Sequence, residues 1–298
     1  MSVVIVPLRQ AKILVVGLVR DSEKQLVRSI QCLSNAFKES KIVKFLVVES
    51  DSSDSTLHLL ASEALKRPNF RYKTFGNLRH ELPLRTERIA FCRNYYLDQI
   101  RDSPEYLDVD YVVVADFDGV NSSLQSSDVE SCWIRSDWDV CTANQNGNYY
   151  DIWALRHSLW SPNDCWGQAN FLISSGLDRF RAIYSSVFSR MINIDSCHDW
   201  IKVDSAFGGL AIYRKCVLQD GAFYKGIDDC GEEVCEHVSL HEYICRNGGK
   251  IYINPMMTNY SPPEHVRYLT GKGLVLFWVK CFIKDLSLRF SLPFFKAP

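Results

Sequence analysis

The stretch YVVVADFDGV, residues 111–120, decides how this chain is read. Tyr111 to Val114 are aromatic or β-branched, the composition of a buried strand. Asp116-Phe117-Asp118-Gly119 then ends the run with turn chemistry. Two carboxylates one residue apart on the lip of a buried strand repel each other. The spacing therefore calls for a positive group between them.

Working upstream, strands and helices alternate. KILVVGLVRD (12–21) reads as a strand running into a turn. Residues 22–40 read as a helix, with a Ser22/Gln25 capping box and an apolar period at Leu26, Ile30, Leu33 and Phe37. KFLVVES (44–50) is a second strand, and the Ser/Asp loop after it caps a second helix. FRYKTFG (70–76) is a third strand, and residues 84–102 form a third helix. This order predicts an α/β sheet with helices on both faces, whose ligands bind at the carboxyl ends of the strands. Arg20-Asp21, the Glu49–Asp54 cluster and Asp116–Asp118 all fall at such ends.

Downstream of residue 120 the texture becomes aromatic and turn-rich, and the sheet is expected to be mixed. WDVCTANQ (138–145) and YYDIWALRH (149–157) are expected as strands, as is DSAFGGLAIYRK (204–215) with its Gly208-Gly209 approach point. Residues 235–249 read as a helix ended by glycine, followed by a strand at 250–255. The expected organisation is two halves of one domain, 1–120 and 121–262, on a continuous sheet, with a C-terminal segment at 263–298.

Bulk properties narrow the function. The 298 residues are 47% hydrophobic and 23% charged, with a net charge of −1, so no basic field points to nucleic acid. The 11 cysteines form no CxxC pair. Cys230 and Cys235 with His237 and His241 fit no common zinc spacing. Scattered cysteines predict a reducing, cytoplasmic location. The first apolar run is too short for a membrane span and lacks a basic leader, so neither secretion nor an N-terminal anchor is expected.

Asp116 and Asp118 admit three readings. They could be solvated turn residues, or the nucleophile and acid of a haloacid-dehalogenase-type phosphatase. They could also be the DxD motif of a GT-A glycosyltransferase, holding Mn²⁺ or Mg²⁺. The phosphatase motif normally sits on the first strand of its domain, whereas this one follows three strand–helix units. GIDD (226–229) could still mimic that enzyme's later acidic pair. Glu49 and Asp51 can accept hydrogen bonds from a base or ribose. Arg88 or Arg93, on a helix that also carries Arg85, can reach a diphosphate. Asp151 and Arg156 flank Trp153, and Trp166, Trp200, Asp199 and Asp204 follow, a set that suits a sugar or an aromatic core. Glu236, His237 and His241 project from the start of a helix, where they could supply an acid/base group or a third metal ligand.

The ordered set resembles GT-A glycosyltransferases and, more narrowly, the fungal capsule-associated CAP59-type mannosyltransferases. ESDSSDST (49–56) resembles that family's Glu-Ser-x-Ser-x-Asp-x-Thr loop, and RIAFCRN (88–94) its Arg-Asn helix in shortened form. YYDIWALR (149–156) resembles its Tyr-Tyr-Asp-x-x-Ala-Leu-Arg segment, and CEHVSLH (235–241) its Glu-Cys-Cys-x-x-His, with His237-Val238 in place of the Cys-Cys. The islands span roughly residues 12–255. The resemblance implies an open mixed Rossmann-like sheet in which 1–120 binds the nucleotide-sugar and 121–262 the donor sugar and acceptor. It implies metal ligation by Asp116 and Asp118 with His241 as a third ligand. It places Glu49, Asp51, Arg88, Arg93, Asp116 and Arg156 on a GDP- or UDP-sugar donor. Trp166, Asp204, Gly208 and Gly209 are expected beside a glycan or lipid-linked glycan acceptor, with Glu236, His237 and Asp151 as catalytic groups. A non-catalytic nucleotide-sugar-binding protein is the alternative from another class.

The C-terminal segment (271–298) mixes Trp, Phe and Leu with Lys280, Lys284, Asp285 and Arg289. Its apolar runs are too short to span a bilayer. It is expected either to lie on a membrane surface through 274–295, at the inner face of the membrane, or to pack on the core or a second subunit.

Overall fold

The computed structural model describes residues 5–289. Its strands are β1 (Lys12–Val19), β2 (Ile42–Glu49), β3 (Phe70–Thr74), β4 (Tyr111–Ala115), β5 (Val140–Asn146), β6 (Ile201–Val203), β7 (Leu210–Arg214) and β8 (Ile251–Tyr260). Among the described residues they form one eight-stranded sheet in the order β3-β2-β1-β4-β7-β5-β8-β6. β1 pairs parallel with β2 and β4, and β2 with β3. β7 runs antiparallel between β4 and β5, β8 is parallel to β5, and β6 closes the edge antiparallel. The two expected halves thus meet in the β4–β7 ladder, from Tyr111↔Arg214 to Ala115↔Leu210.

Helices cover both faces. They are α1 (Leu26–Ala36), α2 (Thr56–Lys66), α3 (Arg85–Asp102), the short α4 (Ser126–Glu130), α5 (Cys165–Ser174), α6 (Arg179–Ser186), α7 (Glu236–Arg246), the short α8 (Pro263–Val266) and α9 (Gly271–Arg289). Alternation along β1 divides the core. Leu14 and Val16 pack with Tyr96 and Leu97 of α3 and Leu240 of α7. Ile13 and Val15 pack with Leu26, Ile30 and Leu33 of α1 and Leu60 of α2. The open mixed α/β sheet with helices on both faces is therefore what the chain forms. A side chain at Gly17 of β1 would put its Cβ 2.3 Å from the Ala115 carbonyl oxygen and 2.5 Å from the Phe117 ring. Its absence lets Phe117 seat itself in the core, 1% exposed, and turns Asp116 and Asp118 outward on either side of it.

Several local expectations are corrected. The first helix starts at Leu26 rather than Ser22. Ser22 instead opens a turn whose carbonyl accepts from the N–H groups of Gln25 and Leu26, while its hydroxyl donates to the Arg20 carbonyl. Residues 149–157 are not a strand, because their polar groups bond to neighbouring loops rather than to a ladder. Gly208 N–H donates to Asp151, and Arg156 joins Ser205 only as an isolated bridge. The strand expected over 204–215 begins at Leu210, since Gly208 and Gly209 lie at φ +69° and +82°. The last strand continues through Pro255 to Tyr260. Helices α5 and α6 are additional to the expected elements; Asp164 and Asp178 cap them by accepting from Gly167 and Arg181 N–H.

Helix α9 lies against α6. Phe277 packs on Phe180 and Phe188, and Arg179 pairs with Asp285 at 3.1 Å. Residues 290–298, including the end of the expected membrane segment 274–295, lie outside the described residues. No helix among the described residues is long and apolar enough to cross a membrane.

Candidate active site

A cleft of about 430 Å³ opens at the carboxyl ends of β1, β2 and β4. It brings together Asp51, Arg88, Arg93, Asp116, Asp118, Asp151, Gly209, Glu236 and His237 from the expected set.

Asp116 stands at its floor. Its backbone N–H donates to the Gly209 carbonyl at 3.0 Å, and Asn121 Nδ2 bridges the Asp116 and Gly209 carbonyl oxygens at 2.8 and 3.2 Å. Gly209 has to be glycine, since a Cβ at its φ of +82° would stand 2.8 Å from Val120 Cγ1. Among the described residues none donates a hydrogen bond to the Asp116 carboxylate. Burial pushes its pKa well above the usual carboxylate range, and Asp118, Asp151 and Glu236 add to the rise against the pull of Arg93. Asp118 is exposed, and its Oδ1 accepts from Val120 N–H at 3.1 Å. Two neighbouring hard-oxygen groups that repel each other, with Val120 N–H their one donor among the described residues, fit a divalent cation such as Mn²⁺ or Mg²⁺.

Two buried arginines from α3 are already engaged by acids. Arg93 Nε donates to Glu236 Oε1 at 2.9 Å and its Nη1 to the Tyr96 hydroxyl at 3.1 Å. Its guanidinium lies 5.6 Å and 5.5 Å from the ring centroids of Phe207 and Tyr224. Arg88 Nη1 donates to the Leu82 and Pro83 carbonyls, and its Nε sits 3.5 Å from Asp51 Oδ2. Asp51 adopts a left-handed φ of 61°. Its Oδ1 accepts from Arg79 N–H at 2.9 Å, whereas its buried Oδ2 has no hydrogen-bond partner.

The far wall carries Asp151, Glu236 and His237. Gly208 N–H donates to Asp151 Oδ2 at 2.9 Å. Burial, with Glu236 nearby, raises the Asp151 pKa and makes it a stronger base than a free aspartate. His237 stacks on Phe207 at a centroid distance of 4.0 Å, and neither of its ring nitrogens has a hydrogen-bond partner. Burial first, then Arg93 and His241, holds His237 neutral by pushing its pKa well down.

Other expected residues stand elsewhere. Glu49 is buried, but its Oε1 accepts from Ser52 N–H and its Oε2 from the Thr74 hydroxyl; it clamps the loop and does not line the cleft. Arg156 donates to the Trp153 and Leu155 carbonyls and to Asp164 Oδ2. Gly208 supports Asp151 from behind, Asp204 is exposed outside the cleft, and Trp166 is an exposed residue of α5. His241 is fully buried, with Nδ1 bonded to Ser205 Oγ at 2.8 Å and Nε2 to the Tyr213 hydroxyl at 2.7 Å. Both nitrogens are taken, so His241 is not placed to ligate a metal beside Asp116. Among the described residues no group of three His, Cys, Asp or Glu side chains forms a ready metal site. The Asp228-Asp229 pair stands outside the cleft, with Asp229 paired to Lys225.

The cleft also holds Arg20 and Arg85 on its rim, and Tyr150, Trp153, Phe207, Cys235 and His265. His265 stacks on Tyr150 at 4.5 Å. Arg20 was legible as a strand-end residue. His265 follows a Ser-Pro-Pro turn and carries no periodic signal.

No protein-family model matches the chain, and no curated protein matches it. Solved structures do resemble it. TarS 1–349 of S. aureus shares 13% identity and a TM-score of 0.48, over 90% of this chain and 65% of that one. The mannosyltransferase PcManGT from Pyrobaculum calidifontis, in complex with GDP-Man and Mn²⁺, shares 12% identity and a TM-score of 0.47, over 97% and 66%. Glucosyl-3-phosphoglycerate synthase from Mycobacterium tuberculosis, in complex with Mn²⁺, UDP and phosphoglyceric acid, shares 11% identity and a TM-score of 0.41, over 91% and 78%. This chain spans about two thirds of the length of the first two.

Proposed function

We propose that the chain is a metal-dependent glycosyltransferase that moves a hexose from a nucleoside-diphosphate sugar to a hydroxyl of a glycan. The observation that carries this reading is the Asp116/Asp118 pair, neighbouring carboxylates whose only hydrogen-bond donor among the described residues is Val120 N–H, to Asp118, in the same cleft as Arg88 and Arg93 at the carboxyl ends of parallel strands. The ordered sequence islands support the same reading, with GDP-mannose as the donor they favour. The phosphatase alternative needs a second acidic pair beside Asp116, and Asp228 and Asp229 stand outside the cleft.

In this reading Asp116 and Asp118 hold the divalent cation, which when bound offsets the charge of the departing nucleoside diphosphate. Asp51 lines the cleft beside the base or ribose, with its Oδ2 ion-paired to Arg88. Arg88 fixes Asp51, and the rim residues Arg20 and Arg85 face the phosphates. Arg93 holds Glu236 in one orientation at the wall of the sugar pocket. Neutral His237 lines the cleft beside Glu236, its Nε2 3.5 Å from Glu236 Oε1. Asp151 takes the proton of the attacking hydroxyl, its base strength raised by burial.

The test is thermal unfolding of the wild type and Asp116→Asn with GDP and UDP, each with and without Mn²⁺. A nucleotide at about 100 times its dissociation constant stabilises by roughly 2.7 kcal/mol. The wild type should shift only when Mn²⁺ and one nucleotide are present together, and Asp116→Asn should not shift. Equal metal-dependent shifts in both proteins would sink the assignment of Asp116.

A further inference from the structure

Helix α9 is apolar on two sides. One side packs on the molecule, with Phe277 and Cys281 buried. On the other, Val275, Trp278, Phe282, Ile283 and Leu286 are exposed, Trp278 and Phe282 each by about half. At 100° per residue these five share one broad face. Trp278 and Phe282 stack on each other at 5.6 Å along it.

Asp285 is the only acidic residue of α9. It turns inward, where its Oδ1 accepts from Arg179 Nε at 3.1 Å and its Oδ2 from Arg179 N–H at 3.2 Å. Lys272, Lys280 and Lys284 are all exposed. Lys280 Nζ donates to the Tyr268 hydroxyl at 3.0 Å, and the Arg267 guanidinium lies 4.7 Å from the same ring. At the same 100° per residue Lys272 lies within this face, Lys280 lies past its Ile283 edge with Lys284 farther round, and Asp285, neutralised by Arg179, lies past its Trp278 edge.

We propose that this face docks on an anionic lipid bilayer, with Trp278, Phe282 and Ile283 in the headgroup–acyl boundary and Lys272 and Lys280 at the lipid phosphates. A helix with Trp and Phe on one face and lysines in and beside it lies in the interface plane. The positive charge selects an anionic bilayer over a neutral one. This surface stands apart from the cleft and does not depend on the transferase reading.

Vesicle co-sedimentation of the full chain tests it, comparing phosphatidylcholine vesicles with vesicles that also contain phosphatidylglycerol. The wild type should pellet with the anionic vesicles only, and less so as salt is raised. Lys272→Glu/Lys280→Glu should weaken that binding by about 30-fold or more, at the usual contribution of a lysine near such a surface. Trp278→Ala/Phe282→Ala should abolish it with only a small change in the melting curve, because about half of each side chain is exposed. Quenching of Trp278 by brominated lipid, lost in Trp278→Phe, reports insertion directly. Equal recovery of wild type and variants in the supernatant would overturn the proposal. So would a dimer in solution that Trp278→Ala/Phe282→Ala dissociates, which would make the face a contact between copies of this chain.

Discussion

Replacing Arg93 by Met removes the charge that holds Glu236 at the cleft wall. The two side chains are 6% and 9% exposed and meet at 2.9 Å, so this is a buried, hydrogen-bonded ion pair. Removing one partner of such a pair costs about 3–5 kcal/mol, because the other is left charged and desolvated. Arg93→Met also strands the Tyr96 hydroxyl, although Tyr224 still bonds it at 2.9 Å. At about 2 °C per kcal/mol for a chain of this size, the melting temperature should fall by roughly 6–10 °C. Glu236→Leu alone should fall by a similar amount, with Arg93 left in its aromatic cage. The double variant Arg93→Met/Glu236→Leu removes both charges and should recover most of the loss. Urea unfolding of the four proteins gives a double-mutant cycle, with a coupling of about 2 kcal/mol or more expected. Transfer activity should not recover with stability, since in the proposed mechanism Glu236 orients the sugar. Additive losses with no coupling would show that the pair does not stabilise the fold. Wild-type activity in the double variant would remove both residues from the donor site.

Two further outcomes follow from the site's surroundings. Gly209→Ala forces a left-handed residue against Val120 Cγ1 at 2.8 Å and should cost about 2–4 kcal/mol, with part of it restored by Val120→Ala; an unchanged melting temperature would contradict the close approach. His241 has its pKa lowered by burial to about 3, below the unfolded value of 6.5, so the unfolded chain takes up the proton first as pH falls. Its contribution is intact above pH ~6.5 and lost toward pH ~3, at up to about 1.4 kcal/mol per pH unit. His241→Gln should therefore flatten the acid limb of a stability–pH profile by about that slope, and superimposable profiles would refute the burial argument.

The first half of the fold was legible because β1, β2 and β4 are continuous apolar runs, and a strand buried on both faces leaves that signature. The region from 149 to 157 was misread for a physical reason. Its aromatic and aliphatic residues (Tyr149, Tyr150, Ile152, Trp153) have the composition of a strand, but its polar groups satisfy loop bonds, Asp151 to Gly208 N–H and Arg156 to Asp164. Helices α5 and α6 have little apolar periodicity to show, yet Asp164 and Asp178 sit where helix caps belong and could have been read as such. At the site, the i, i+4 spacing of His237 and His241 correctly put both on one face, where their rings stack at 5.9 Å. What spacing could not show was that Ser205 and Tyr213, from another part of the chain, occupy both nitrogens of His241. Glu49 misled in the same way, since only the fold brings Thr74 to its second oxygen.

The balance of charge in the cleft explains why such a site would need a cation before a nucleotide. Arg88 is matched to Asp51 and Arg93 to Glu236, so neither pair presents net charge to a ligand. Asp116, Asp118 and Asp151 remain, with only the rim residues Arg20 and Arg85 as further cations, and Arg20 already lies 3.7 Å from Asp21. A diphosphate entering this cleft alone meets like charge in a poorly solvated space, where repulsion is stronger than in water. Burial first, and then the neighbouring acids, already raise the pKa of Asp116, and a divalent cation would favour its deprotonated form. In the proposed mechanism metal and nucleotide are therefore coupled ligands, each raising the other's affinity by the same factor. Titrating Mn²⁺ at several fixed GDP or UDP concentrations measures that factor from both sides. A factor of one would mean that the acids of the cleft and the phosphates never share an ion.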